Sequence, residues 1–155
     1  MATPRIWSAY LLAGSLGLAL CAATTPVSAQ EEDKGMCARI AEEVAENAAL
    51  QAEISAKQTQ GVSAADMTHE LLQAGFPPSQ VVNQVLTAFG TEEANTVREV
   101  VSAAVFETKS VGVTAVRAGA VCAGADTRTV EQAIRHAIAN LSGVSETDGI
   151  KASPN

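Results

Sequence analysis

Glycines divide this chain into short blocks whose apolar residues recur at helical spacing. One block carries Val81, Val85 and Phe89 and stops at Gly90. Residues three and four apart share one face of a helix, so this spacing predicts an amphipathic helix. Glycine directly after such a block is typical of a helix C-terminus, because it adopts positive φ without steric cost. The pattern therefore predicts an all-α fold, a small bundle of five to six short helices arranged as helical hairpins.

The starts of these helices are predicted from capping residues. An oxygen-bearing side chain that can accept from free backbone N–H groups stands before four of the blocks, at Ser63, Thr91, Ser110 and Asp126. Asp66 follows Ser63 in a capping-box position. The first helix is predicted from Met36 to Lys57. Residues 36–141 then form the helical domain, with a flexible leader at residues 30–35 and a disordered tail at residues 142–155.

Two secondary structures compete for the block that follows Thr91. Its valines are β-branched, so a strand from Val100 to Phe106 is one interpretation. The Ala-rich spacing and the cap at Thr91 favour a helix instead. Its apolar residues cover more than one face, which predicts a central helix that is buried on several sides.

A faint internal repeat has an offset of 49 residues. Ala74-Gly75 matches Ala123-Gly124, and Val81, Val85, Ala88 and Phe89 then match Val130, Ile134, Ala137 and Ile138. One interpretation is a stack of hairpins with a concave binding face. The other is that Ala-rich helices punctuated by glycine match one another by composition, and we favour it because repeat arrays normally contain at least about three units.

The first 29 residues have the features of a signal peptide. Arg5 supplies a positive start, residues 6–23 are apolar or small, and Val27-Ser28-Ala29 has the small residues that signal peptidase needs. We expect cleavage after Ala29, and hence a periplasmic or secreted protein. A transmembrane anchor is the alternative, although the apolar run is short for a membrane span.

Lipidation at Cys21 is a second alternative for this segment. Leu18-Ala19 fits a lipobox, but Leu20 stands where a small residue is expected before the cysteine. Acylation at Cys21 would anchor the protein, and only then do we expect it to associate with a membrane.

Cys37 and Cys122 are the cysteines that remain after cleavage, and they are predicted to form one disulfide. The bond would join the first helix to the end of the fifth. A redox or metal site is the alternative, but neither cysteine has a CxxC partner or a histidine within one turn.

Asp66, His69 and Glu70 form the candidate metal cluster, because Asp66 shares a helix face with each of the other two. The zinc-protease pattern needs a second histidine four residues after the first, and Gln73 stands there. We therefore favour a solvated helix face and predict no metal, no cofactor and no catalytic residue.

Charge and aromatic content limit the functions that remain. Loss of Arg5 leaves nine basic and 17 acidic residues, a formal net charge of −8. Such a surface repels phosphate backbones, and the three phenylalanines left offer few stacking faces, so no nucleic acid is expected.

The sequence therefore predicts an exported, non-enzymatic interaction protein of the cell envelope or exterior, an adaptor, chaperone or assembly factor with a protein partner. Its Ala- and Val-rich helices are suited to receive a partner helix or strand in a groove. The alternative is a carrier with a pocket between helices for a small, apolar, lipid-like ligand.

Overall fold

A computed structural model describes residues 27–147 of the chain, and side chains from residue 34 to 143. The helices in order are α1 (Val27–Glu46), α2 (Ala48–Thr59), α3 (Ala64–Gln73), α4 (Pro78–Phe89), α5 (Ala94–Thr108), α6 (Val113–Cys122) and α7 (Thr127–Thr147). A 3₁₀ turn, Lys109–Gly112, joins α5 to α6. The predicted all-α bundle with one disulfide is confirmed. The competing strand at residues 100–106 is wrong, because these residues lie within α5.

Helix α5 is the centre of the bundle, as its apolar pattern predicted. It packs against α3, α4, α6 and α7. Val97, Val100, Val101, Ala104 and Val105 are its buried residues. They belong to a main core that takes members from α2 to α7. Its largest fully buried side chains are Leu50, Met67, Leu71, Val81, Val82, Val85, Leu86, Val97, Val100, Val101, Val105 and Val116.

The prediction of a single helix over residues 36–57 is wrong, because Asn47 interrupts it and separates α1 from α2. Asn47 leaves the helical conformation, and its side-chain oxygen accepts a hydrogen bond from the Leu50 amide at 3.1 Å. It thus ends α1 and caps α2.

The first and last helices extend further towards the ends of the chain than the sequence indicated. Residues 30–35, expected to be a flexible leader, lie inside α1, which begins at Val27. Residues 142–147 of the expected tail lie inside α7. The predicted signal segment up to residue 26, including Cys21, and residues 148–155 lie outside the described part of the chain.

Two of the four predicted caps are confirmed. The Asp66 amide donates to Ser63 Oγ at 3.2 Å, and the Thr129 amide donates to Asp126 Oδ2 at 2.8 Å. Thr91 does not cap α5, which begins later, at Ala94, without a side-chain cap bond. Ser110 lies within the 3₁₀ turn, because Lys109, at φ 55°, redirects the backbone before α6 begins.

The 49-residue offset corresponds to two helical hairpins. Helices α3 and α6 are both ten residues long and start at residues 64 and 113; α4 and α7 start at residues 78 and 127. Gly75 and Gly124 end the first helix of each hairpin at φ 89° and 93°. The amide after each glycine bonds back over the last turn, Phe76 to Leu71 and Ala125 to Ala120. The pair α3–α4 and the pair α6–α7 therefore have the same local structure.

Candidate functional site

The candidate metal residues Asp66, His69 and Glu70 do not converge on one point, because each has a different partner. Asp66 Oδ2 accepts from Ser63 Oγ at 2.7 Å. His69 Nδ1 lies 2.7 Å from Glu107 Oε1 on α5. Glu70 pairs with Lys57 on α2, and this hydrogen bond raises the pKa of Lys57.

These contacts connect helices. Glu70 joins α3 to α2, and His69 joins α3 to α5. Between residues 34 and 143, no group of three or more His, Cys, Asp or Glu side chains is arranged to hold a metal ion. In this structure the cluster acts as a set of surface contacts between helices.

The predicted disulfide between Cys37 and Cys122 is present, with a Cα–Cα distance of 5.0 Å and a sequence separation of 85. It joins α1 to the last residue of α6, and both cysteines are partly buried. Beside it lies a small second cluster of apolar residues. This satellite cluster consists of Ile40, Val44 and Ala118, with Met36 and Cys122 packed against it.

A surface groove runs between α5 and α7. Its volume is 480 Å³, and its lining is mixed in polarity: Arg98, Glu99, Ser102, Gln132, Ala133 and His136. We call it the α5–α7 groove. Asn140 extends its α7 side, because its amide lies 3.1 Å from His136 Nδ1 one turn earlier.

Phe106 extends the α5 side of the groove. It follows Ser102 by four residues and Glu99 by seven, so the three share one face of α5. Its exposed fraction is 60 %, whereas its neighbour Val105 is fully buried. The sequence missed this position, because Phe106 was counted among the apolar residues of a helix buried on several sides. Its exposure depends on which face of α5 the other helices cover.

Within residues 27–147, none of the helices has both the length and the apolar character needed to cross a bilayer. Comparison of the chain with protein-family models, curated proteins and solved structures gave no match in any of the three.

Proposed function

We propose that this chain acts by binding another protein, as an adaptor, chaperone or assembly factor of the cell envelope or exterior, and that it binds through the α5–α7 groove. The observation that carries the proposal is the exposed Phe106 ring beside a groove of mixed polarity. Exposed aromatic side chains are enriched in protein interfaces, where they fill pockets on the partner.

The lining suggests the kind of segment that binds. Phe106 offers an exposed apolar contact beside the groove. Ser102, one turn earlier on α5, is small and only partly buried, so a partner side chain can approach the lining there. Arg98, Glu99 and Gln132 provide charges of both signs and hydrogen-bonding groups around this apolar part. We propose an amphipathic helix as the partner segment, with its apolar face on Phe106.

Export and localisation remain part of this proposal. The Cys37–Cys122 bond supports a compartment in which thiols oxidise, because disulfides persist outside the reducing cytosol. Cleavage after Ala29 predicts that the isolated protein starts at Gln30. Its intact mass should then be lower by two hydrogen atoms than that of the reduced chain. A lipid on Cys21 would contradict the predicted cleavage.

Site-specific crosslinking in the native cell tests the groove. A photoreactive amino acid replaces Phe106 in one variant and Val111 in another. Val111 is the control, because it is 93 % exposed on the 3₁₀ turn and does not line the α5–α7 groove. We expect one protein to crosslink from position 106 and not from position 111.

Filling the groove makes this test specific. Adding Ser102→Arg places a long charged side chain in the lining at a position that is only partly buried. The crosslink from position 106 should then weaken at least about tenfold if groove contacts dominate binding. Equal crosslinking from positions 106 and 111, or no effect of Ser102→Arg in a folded variant, would argue against the groove as the binding site.

The carrier hypothesis has less support. The 480 Å³ groove is open to solvent, and the deepest side chains described, such as Met67 and Leu86, are fully buried within the main core. Native mass spectrometry of protein from its natural source tests it directly. A retained small apolar molecule would favour a carrier over a protein-binding role. That the chain is not an enzyme stays a prediction.

A further inference from the structure

Helix α1 packs on the outside of the bundle and, among the described side chains, contributes none to the main core. Its buried apolar residues are Ile40 and Val44, which join Ala118 of α6 in the satellite cluster. Two open grooves, of 200 and 470 Å³, share Met36, Thr114 and Ala118 in their linings. The apolar contact that holds α1 is therefore narrow and local.

The surface that α1 covers is formed by α4 and α6, and these two helices contact each other directly. Helices α4 and α6 are in backbone contact, since a Cβ atom on Gly119 would lie 2.4 Å from the carbonyl oxygen of Ser79. The side-chain Nδ2 of Asn83 also donates a hydrogen bond to the Gly119 carbonyl oxygen at 3.4 Å. Both helices place residues in the main core, among them Val85 and Val116. Departure of α1 would leave these contacts in place.

Helix α1 is fastened near two points. Cys37 is bonded to Cys122. Ten residues further on, which is about 15 Å of helix, the side-chain Nδ2 of Asn47 donates a hydrogen bond to Gln80 Oε1 at 2.8 Å. Gln80 in turn donates to Glu43 at 3.4 Å. Asn47 is also the single non-helical residue between α1 and α2, so it is placed to act as a hinge.

We propose that α1 is an arm locked onto the α4–α6 face by the Cys37–Cys122 bond, and that reduction of this bond by an external dithiol releases the arm while the rest of the bundle stays folded. This inference is independent of the α5–α7 groove. Release would uncover a surface on α4 and α6 that includes Ser79, Gln80 and Ala118.

The chemistry is thiol–disulfide exchange with a dithiol, either a small molecule or a redox protein. One thiolate of the dithiol attacks a sulfur of the bond and forms a mixed disulfide, and the other cysteine leaves as a thiolate that takes up a proton. The second thiol of the dithiol then attacks the mixed disulfide and frees the remaining cysteine. Two electrons and two protons reach Cys37 and Cys122, and the dithiol becomes a disulfide. Neither cysteine residue is fully buried.

Hydrogen exchange measured by mass spectrometry tests the proposal. The purified chain is compared before and after reduction with dithiothreitol and alkylation of the freed thiols. We expect peptides covering residues 37–46 to exchange at least about tenfold faster after reduction, because the Cys37–Cys122 bond no longer limits how far α1 can move away from the α4–α6 face. Peptides covering residues 97–105 of α5 should keep their protection.

Two outcomes would overturn the proposal. Unchanged protection of residues 37–46 would mean that the satellite cluster holds α1 without the bond. Equal loss of protection in residues 97–105 would mean that the bond stabilises the whole bundle and not the arm. The Cys37→Ala/Cys122→Ala variant gives the same comparison without reductant, and if it fails to fold, reduction of the folded chain still decides between these outcomes.

Discussion

Single residues decide how closely the helices of this bundle approach. Gly119 lies where α6 meets the backbone of α4, so its lack of a side chain is a packing requirement. Glycine is a poor helix former, so its presence inside a helix needs a structural reason. The contact with Ser79 is that reason.

Gly119→Ala should destabilise the fold by about 1–3 kcal/mol, because the new methyl group forces α4 and α6 apart. Gly143→Ala is the matched control: Gly143 lies in α7, and a Cβ atom there would meet nothing within 4 Å. That variant should be unchanged or more stable by up to about 1 kcal/mol, from helix propensity alone. Urea denaturation of both variants measures the difference. Equal stability in the two would show that α4 and α6 separate without cost.

Asp126 is a residue whose charge supports a helix start. The backbone amide of Thr129 donates to its carboxylate and lowers its pKa, with the Thr129 hydroxyl adding to the effect. A lowered pKa in the folded state contributes stability above the unfolded-state pKa, and this contribution is lost as pH falls through the folded value.

We therefore expect Asp126→Asn to keep the cap but to lose part of the acid sensitivity. The melting temperature of the parent protein should fall more steeply than that of the variant below about pH 4, where unfolded aspartate becomes protonated. Circular dichroism melts from neutral to acidic pH measure this. The other carboxylates, including Glu131 beside Arg117, titrate in both proteins and cancel in the comparison. Parallel curves would assign the acid sensitivity to those groups.

At the scale of helices, the α3–α4 and α6–α7 hairpins, which are related by the 49-residue offset, differ at positions that are buried in the first and exposed in the second. Thr68 and Val82 of α3–α4 are fully buried. The corresponding positions of α6–α7 are Arg117 and Glu131, which form a two-contact ion pair and are half-exposed. Arg117 lowers the pKa of Glu131 by hydrogen bonding. The second hairpin therefore has a polar surface at these two positions, where the first hairpin is covered by other helices.

Asn47, between α1 and α2, makes one local capping bond and one contact that is distant in sequence. Asn47 Oδ1 caps α2 at Leu50, and Asn47 Nδ2 donates to Gln80 on α4. Asn47→Ala removes both bonds and should cost about 1–2 kcal/mol. Asn47→Asp keeps the cap and removes only the donor to Gln80, so it should cost less than the alanine variant. Thermal denaturation measures both. An aspartate variant as unstable as the alanine variant would show that the Gln80 contact, and not the cap, is what matters.

Much of this helical order could be predicted because its signals are local. Ser63, Gly75, Asp126 and Gly124 act through bonds to residues within one turn, and such bonds can be inferred from sequence. The end of α1 could not, because Asn47 is fixed in part by Gln80, 33 residues away. The α5–α7 groove was missed for the same reason. Which face of α5 is open depends on how the other helices surround it.

For the whole molecule, the separation of the satellite cluster from the main core predicts two different responses to the loss of apolar contacts. Ile54 of α2 and Ile40 of α1 are the same residue type and are each 4 % exposed. Ile54 belongs to the main core, and Ile40 belongs to the satellite cluster. The pair thus compares one side chain in two environments.

Ile54→Ala should lower the global free energy of unfolding by about 2–4 kcal/mol, because a cavity in the main core weakens packing that every helix from α2 to α7 shares. Ile40→Ala should cost less than half as much, because the stability lost cannot exceed the free energy that holds α1 on the α4–α6 face. The difference should be largest after reduction of the Cys37–Cys122 bond, when the arm can leave without unfolding the bundle. Guanidinium denaturation of oxidised and reduced samples gives the four values needed. Equal losses for the two isoleucines in both redox states would mean that α1 and the main core unfold as one cooperative unit, and the arm would then have no separate stability.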